Sequence, residues 1–162
     1  MTVHTKSGTE FPDSIDGFGV VEIKSYDING FNISVGYNSK TEIPIALTHY
    51  VYPTYNRGQR ISFDEHWDEY KKVIINISKE AIFDSEVETK INDIPSKSVK
   101  FSYVGGFARK VQPLHSYFYL FETKDWFIKL RVTFPAEFKE GAEKEISQYL
   151  QSLPTPLLKF IH

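Results

Sequence analysis

The chain has 162 residues, of which 41% are hydrophobic and 15% aromatic, with 13 Phe and 10 Tyr. This length is typical of one domain with its own core, and the composition excludes an intrinsically disordered chain. The formal net charge of -2 argues against nucleic acid as the main partner, and the lack of cysteine excludes thiol catalysis and disulfides. We expect a single domain over residues 1–162, with the polar residues 1–14 loosely ordered.

The first predicted element is a β-hairpin formed by Val20 to Ile28 and Phe31 to Tyr37. The Asn29-Gly30 pair between them readily takes the positive φ angles of a type I′ turn. A two-residue turn at this point places Tyr26 opposite Ile33 and builds an aromatic and β-branched ladder on one side of the hairpin.

A third strand, Ile45 to Tyr52, precedes the clearest helix, which we predict from Ser62 to about Phe83. Ser62 and Glu65 form an S-x-x-E capping box, which satisfies unpaired amides at the start of the helix. The apolar side chains recur at steps of four and three and form one stripe that predicts packing on a sheet. Its members are Phe63, Trp67, Tyr70, Ile74, Ile77 and Ala81.

The second half of the chain predicts more strands and a closing helix. Gly105-Gly106 is predicted to interrupt one strand and to open a loop or irregular strand up to Leu114. The fold class is therefore α+β, with an antiparallel sheet of about six to eight strands flanked by helices. The predicted segments are strands at Val87 to Ile91, Val99 to Tyr103, Tyr117 to Glu122 and Trp126 to Phe134, and a helix from about Lys139 to Leu153.

This order of elements resembles the PsbP-like fold family, which includes the extrinsic photosystem subunit and the DcrB-type bacterial envelope proteins. Three segments carry the resemblance: Phe11-Pro12-Asp13-Ser14-Ile15-Asp16-Gly17-Phe18, the capped helix from Ser62, and Ser116 to Pro135 with the last helix. The resemblance implies an α/β/α sandwich and a non-enzymatic accessory or binding role. It brings no catalytic residues to this sequence.

The sequence leaves the location of the protein open. The exported proteins of the family carry a leader or a lipid-attached cysteine, and residues 1–10 are polar and contain no apolar leader core. We expect a periplasmic or exported protein if a leader has been removed, and a cytoplasmic protein otherwise. The sequence contains no run of about eighteen apolar residues, which is the length that would predict a membrane span.

Two segments are candidates for recognition of a partner. The segment from Tyr50 to Arg57 combines Tyr with Arg, which is typical of interface hot spots. In the segment from Gly105 to Lys110 the glycines allow a close backbone approach, and Arg109 can bind a carboxylate or phosphate with two hydrogen bonds. Sheet-edge packing and a solvated basic turn are the alternatives. The candidate binding residues are Tyr50, Tyr52, Tyr55, Arg57, Phe107, Arg109 and Lys110.

No combination of residues predicts catalysis or a metal site. The five histidines do not form H-E-x-x-H or H-x-H, and His115-Ser116 lies on a strand, where neighbours point to opposite faces. The nearest metal candidate joins Glu65, His66 and Glu69 with His49, but a capping box with a solvated acidic turn is the favoured explanation of the first three. We assign no catalytic residue, metal ligand or cofactor.

The function predicted from the sequence is that of a non-catalytic accessory or binding module with a protein partner. One alternative is a small hydrolase or metal-dependent enzyme that uses His49, His66 and nearby carboxylates. Another is a carrier of a small ligand or lipid, with an apolar cavity between the sheet and the long helix beneath Trp67.

Overall fold

The protein is an α+β fold in which one antiparallel sheet carries a helix on each face. The computed structural model describes residues 2–77, 80–91, 93–121 and 125–152. Across these ranges no helix is both long enough and apolar enough to cross a membrane. The strands are β1 (Thr2–His4), β2 (Thr9–Phe11), β3 (Ser14–Ile15), β4 (Phe18–Ser25), β5 (Ile33–Ser39), β6 (Ala46–Pro53), β7 (Tyr55–Asn56), β8 (Gln59–Arg60), β9 (Ile82–Ile91), β10 (Ile94–Phe107), β11 (Lys110–Phe121) and β12 (Trp126–Pro135). The helices are α1 (Phe63–Ile77) and α2 (Lys139–Ser152), the second preceded by a 3₁₀ turn at Ala136–Phe138.

The main sheet has the strand order β3-β4-β5-β6-β12-β11-β10-β9 within the described residues. Successive side chains of a strand point to opposite faces, so β12 directs Leu130 to one face and Phe127 to the other. We call these the α2 face and the α1 face after the helix that covers each. Ala142, Ile146 and Tyr149 of α2 are buried in the first core, and Trp67, Tyr70 and Ile74 of α1 in the second. The central strand β11 is apolar on both sides, since it supplies side chains to both cores.

The capped start of α1 confirms the prediction, but its end does not. The Ser62 hydroxyl accepts a hydrogen bond from the Glu65 amide at 3.2 Å. The helix ends at Ile77 instead of near Phe83, because Ile82 and Phe83 already pair with β10 as part of β9. The main-chain hydrogen bonds of a ten-residue strand replace the predicted last helical turns. Ile77 was also predicted to belong to the apolar stripe of the helix, and its side chain lies outside the described part.

The N-terminal residues form a docked hairpin, so the prediction of a loose segment over residues 1–14 is wrong. β1 and β2 pair with each other, and Phe11 is 0% exposed. The His4 ring packs edge-on against Trp126 at 4.8 Å, and its Nε2 lies 3.1 Å from the carbonyl oxygen of Phe31. Polar composition predicted mobility, whereas Phe11 and His4 supply enough buried surface to hold the segment.

The first hairpin also differs from the prediction, and the difference moves a tyrosine to the other face. β4 ends at Ser25, which pairs with Ile33, so the connection is a longer loop. The Asp27 carboxylate orders this loop by accepting hydrogen bonds from the amides of Phe31 at 2.9 Å and Asn32 at 2.8 Å. A register change of one residue reverses which side chains share a face. Tyr26 therefore lies on the α1 face near Tyr50, instead of beside Ile33 in the α2 core.

The two glycines of β10 do not interrupt it. Gly105 and Gly106 pair with Gln112 and Val111 of β11, and the strand continues to Phe107. The chain reverses at Ala108 and Arg109, whose φ angles are 50° and 65°, as in a type I′ turn. The predicted irregular segment is therefore a long regular hairpin, because its partner strand β11 continues the ladder past the glycines. The predicted end of the last helix at Leu153 lies outside the described residues.

Candidate functional site

A cavity of about 320 Å³ opens on the α1 face beside α1, where β6 pairs with β12. Four tyrosines, a histidine, an asparagine and a lysine form its walls, and we call it the tyrosine pocket. Its residues come from the loop after β4, from β6, from α1 and from β12. They are Tyr26, Asn32, Tyr50, Tyr52, His66, Tyr70 and Lys129.

Lys129 is surrounded by aromatic rings. Its Nζ atom lies 4.2 Å from the ring centroid of Tyr50, 4.4 Å from that of Tyr70 and 5.7 Å from that of Tyr52. The strand register explains two of these contacts, since Lys129 pairs with Tyr50 across β12 and β6 and Tyr52 points to the same face. The third ring comes from α1. An ammonium above aromatic faces is stabilised by the electrostatic potential of the rings.

Lys129 has no acidic partner among the residues that the structure describes. Within the described part of the chain it forms no ion pair with a carboxylate. Burial, and to a smaller extent the positive charge of Arg131 two residues along the strand, lower the pKa of Lys129 to about 8. Aromatic rings thus replace part of the hydration that the ammonium loses, but its charge is not neutralised.

His66 is held neutral at the wall of the pocket. Burial, followed by the charge of Lys129, lowers the pKa of His66 to about 4. Burial raises the pKa of Tyr52, and its hydroxyl is hydrogen-bonded to Nε2 of His66 at 2.6 Å. The imidazole also stacks on Phe127, with ring centroids 4.2 Å apart. These contacts fix the ring, and Nε2 is already engaged in a hydrogen bond.

The hydroxyls of the other tyrosines differ in their hydrogen bonds. The Tyr26 hydroxyl lies 3.0 Å from the Ser34 hydroxyl. In the ranges that the structure covers, the Tyr50 and Tyr70 hydroxyls have no hydrogen-bond partner. No fully buried polar side-chain atom in these ranges is left unpaired, so neither hydroxyl is fully buried. Both hydroxyls are therefore open to solvent and available as donors, together with the ammonium of Lys129.

Replacing Lys129 by methionine should raise the pKa of His66. The substitution keeps a long side chain but removes the positive charge that disfavours a protonated imidazole. The pKa is measured by NMR titration of the His66 ring. Lys100→Met is the matched control, because Lys100 Nζ also lies over a tyrosine ring, Tyr117 at 4.5 Å, but belongs to the α2 face. An equal His66 pKa in wild type and Lys129→Met would contradict this geometry.

The structure brings together two of the seven residues predicted for binding. Tyr50 and Tyr52 line the tyrosine pocket, whereas Tyr55 and Arg57 belong to the small β7-β8 hairpin. The remaining three lie around the turn between β10 and β11, which is not part of the pocket: Phe107, Arg109 and Lys110.

Several pocket residues were missed by the sequence analysis. Lys129 and Arg131 interrupt the apolar alternation of β12 on one face, and this charge pattern was the available signal. Tyr70 was assigned only to the packing stripe of α1 and Tyr26 to the other face of the hairpin. His66 was considered only as a metal ligand or as part of an enzyme site.

The residues proposed for an enzyme do not converge. His49 is 1% exposed on the α2 face and hydrogen-bonded to the Tyr149 hydroxyl, whereas His66 is on the α1 face. The sheet separates them, so the predicted set of His49, His66 and neighbouring carboxylates is wrong. Among the described residues no group of three or more His, Cys, Asp or Glu side chains could hold a metal ion.

One further serine lies beside a histidine. Ser102 Oγ is 3.2 Å from Nδ1 of His115, but it donates to the Asp84 carboxylate at 2.7 Å. A nucleophilic serine needs its proton directed to the imidazole, with the acid on the other ring nitrogen. Here the serine donates its proton to the carboxylate and not to the imidazole, so the three groups do not form a catalytic triad.

A larger groove of about 530 Å³ lies between the start of α1 and the β9-β10 pair. Its charged side chains Asp64, Glu88 and Lys90 are exposed, and Asp64 is paired with Lys97 at 2.6 Å. Solvated charges of this kind contribute little to ligand selection. The smaller tyrosine pocket is the stronger candidate because it combines aromatic walls with a partly buried cation.

Comparison with known proteins supports the fold alone. No protein-family model and no curated protein matches the sequence. The crystal structure of PA94 from Pseudomonas aeruginosa, described as a protein of unknown function and a candidate regulator, is similar with a TM-score of 0.51 and 9% sequence identity. The match covers 88% of this chain and 87% of that chain.

Proposed function

We propose that the protein is a non-catalytic binding module that holds a small-molecule ligand in the tyrosine pocket. The observation that carries this proposal is the desolvated ammonium of Lys129 among three tyrosine rings, beside a cavity of about 320 Å³. This volume is at the lower end of the range for small-molecule sites, which are typically apolar with a few well-placed polar groups.

The groups around the pocket support binding over catalysis. His66 is neutral and its Nε2 is occupied by Tyr52, so this ring does not serve as a free base. Of the described residues that line the pocket, none is a carboxylate that could exchange protons with Lys129. A reaction would need an acid and a base converging on one reacting atom.

The fold supports a related inference. A helix on each face of an antiparallel sheet is the arrangement that the PsbP-like resemblance implies, and we propose that the protein belongs to that group of sandwiches. The accessory role beside a protein partner, which the same resemblance implies, stays a prediction. A small ligand in the tyrosine pocket is compatible with such a role.

Capture of metabolites tests the proposed function. The purified protein is incubated with a small-molecule extract, washed by ultrafiltration and denatured, and the released compounds are identified by mass spectrometry. Asn32→Trp places a bulky ring at the wall of the tyrosine pocket, and Asn38→Trp is the control on β5 outside it. We expect a compound that wild type and Asn38→Trp retain and Asn32→Trp loses. Retention that is equal in all three proteins would contradict a ligand in this pocket.

A further inference from the structure

Among the described residues, the lining of the tyrosine pocket includes the cation Lys129 and no Asp or Glu. Arg131 lies near Lys129 on the same face, with its guanidinium 5.2 Å above the ring of Phe118, and forms no ion pair within the described ranges. Two adjacent cations on a partly buried surface repel each other, and a bound anion would relieve this repulsion.

The ammonium of Lys129 is a hydrogen-bond donor only. It has three N–H bonds and faces aromatic rings, and the hydroxyls of Tyr50 and Tyr70 have no partner among the described residues. Nε2 of His66 is already hydrogen-bonded to Tyr52. A ligand that pairs with the ammonium must therefore present an acceptor atom.

The shape and walls of the pocket limit the rest of the ligand. Four tyrosine rings and the His66 ring form most of the surface, and aromatic walls favour a flat apolar body. A volume of about 320 Å³ is at the lower end of the range for small-molecule sites and limits the ligand to a small body.

We propose, on the basis of the proposed function, that the tyrosine pocket binds a small molecule with one carboxylate on a flat apolar body, the carboxylate contacting Lys129 Nζ. One ammonium with two phenol hydroxyls matches the two oxygens and the single charge of a carboxylate. A phosphate has a higher charge and is typically held by several basic groups or backbone amides, and the pocket provides one lysine.

The site should lose affinity at alkaline pH, because the pKa of Lys129 is about 8. The charged and titratable groups that face Lys129 are His66 and Tyr70 on α1, Tyr50 and Tyr52 on β6, Tyr26 in the loop after β4, and Arg131 on β12. Burial raises the pKa of the three caging tyrosines, and the pKa of His66 lies far below 8. Deprotonation of Lys129 itself therefore removes the charge that binds the carboxylate.

The test uses three probes of one shape and different charge: para-toluate, the neutral para-toluamide and the cationic para-methylbenzylamine. Each is titrated into isotope-labelled protein, and binding is followed by the backbone amide shifts around the pocket at about pH 7. We expect para-toluate to bind about ten-fold or more tightly than para-toluamide, since a hydrogen bond to a charged group is the stronger one. Lys129→Met should lose this preference while it still binds the amide, which also shows that its pocket is folded.

Lys129→Arg tests whether weaker binding at alkaline pH is caused by loss of the charge of Lys129. At about pH 9.5 the wild type should bind para-toluate about ten-fold or more weakly than at neutral pH, whereas Lys129→Arg keeps its charge and should bind equally at both. Equal or tighter binding of the amide or the amine, or no response of the pocket to any probe, would overturn the carboxylate inference. A captured metabolite that lacks an acidic group and is lost in Asn32→Trp would overturn it while the proposed function holds.

Discussion

Lowering the pH from 7 to 4 should reduce the free energy of unfolding by about 3 kcal/mol through His49 alone. Burial lowers the pKa of His49 to about 3, from an ordinary value of 6.5. Between these two values the unfolded chain binds a proton that the folded chain does not, so stability rises with pH and is lost as the pH falls through this window. Urea unfolding at a series of pH values, followed by circular dichroism, measures the effect.

The contribution of His49 is isolated by removing both members of its buried pair. His49→Leu/Tyr149→Phe removes both the imidazole of His49 and the hydroxyl that is hydrogen-bonded to it. Exchanging both partners of a buried hydrogen bond for apolar groups costs little, whereas Tyr149→Phe alone leaves His49 unpaired and should cost about 1–3 kcal/mol at neutral pH. The double variant should lose the acid dependence of His49. An unchanged slope between pH 7 and 4 would show that His49 is accessible to protons in the folded protein.

Replacing Trp67 by alanine should destabilise the protein by about 3–5 kcal/mol, enough to lower the melting temperature by about 10 °C. The side chain is 1% exposed in the α1 core, so the substitution leaves a large cavity under α1. Its Nε1 also donates to Glu86 of β9 at 2.6 Å, and Lys71 shares this carboxylate at 3.1 Å. The change is measured by equilibrium unfolding and by scanning calorimetry.

Val73→Ala on the same helix is the control for Trp67→Ala. Val73 is 59% exposed, and alanine favours the helix, so the unfolding free energy should change by less than about 0.5 kcal/mol. Because α1 supplies His66 and Tyr70, Trp67→Ala should also weaken binding in the tyrosine pocket. A loss below about 1 kcal/mol would mean that α1 is not packed on the sheet as described.

The sequence predicted the elements with strong periodicity. The capping box at Ser62 and the apolar stripe of α1 located the long helix, and the alternation of β12 located a strand of the two-sided core. Which side chains of a segment face the core depends on the apolar period of that segment, so they can be predicted from the local sequence.

The register of the first hairpin could not be read in this way. The Asn29-Gly30 pair predicted a two-residue turn, but the Asp27 carboxylate holds a longer loop, and the resulting shift placed Tyr26 on the other face. The tyrosine pocket depends on this shift and on the approach of α1 to β6 and β12. Its residues come from four separate segments, and no local pattern in the chain joins Tyr26, Tyr70 and Lys129. The sequence therefore indicated a Tyr-rich surface but not the cation within it.

The titration of the Lys129 amine tests the account most directly. With lysine side chains labelled with carbon-13 at Cε, NMR spectra over alkaline pH follow each amine, and Lys129→Arg assigns the signal. We expect Lys129 to titrate near pH 8, well below the ordinary lysine value of 10.5. We also expect para-toluate to shift this titration to higher pH, because a bound carboxylate stabilises the charged amine. A Lys129 signal that titrates with the solvent-exposed lysines and does not respond to the probe would contradict a desolvated, unpaired cation in the tyrosine pocket.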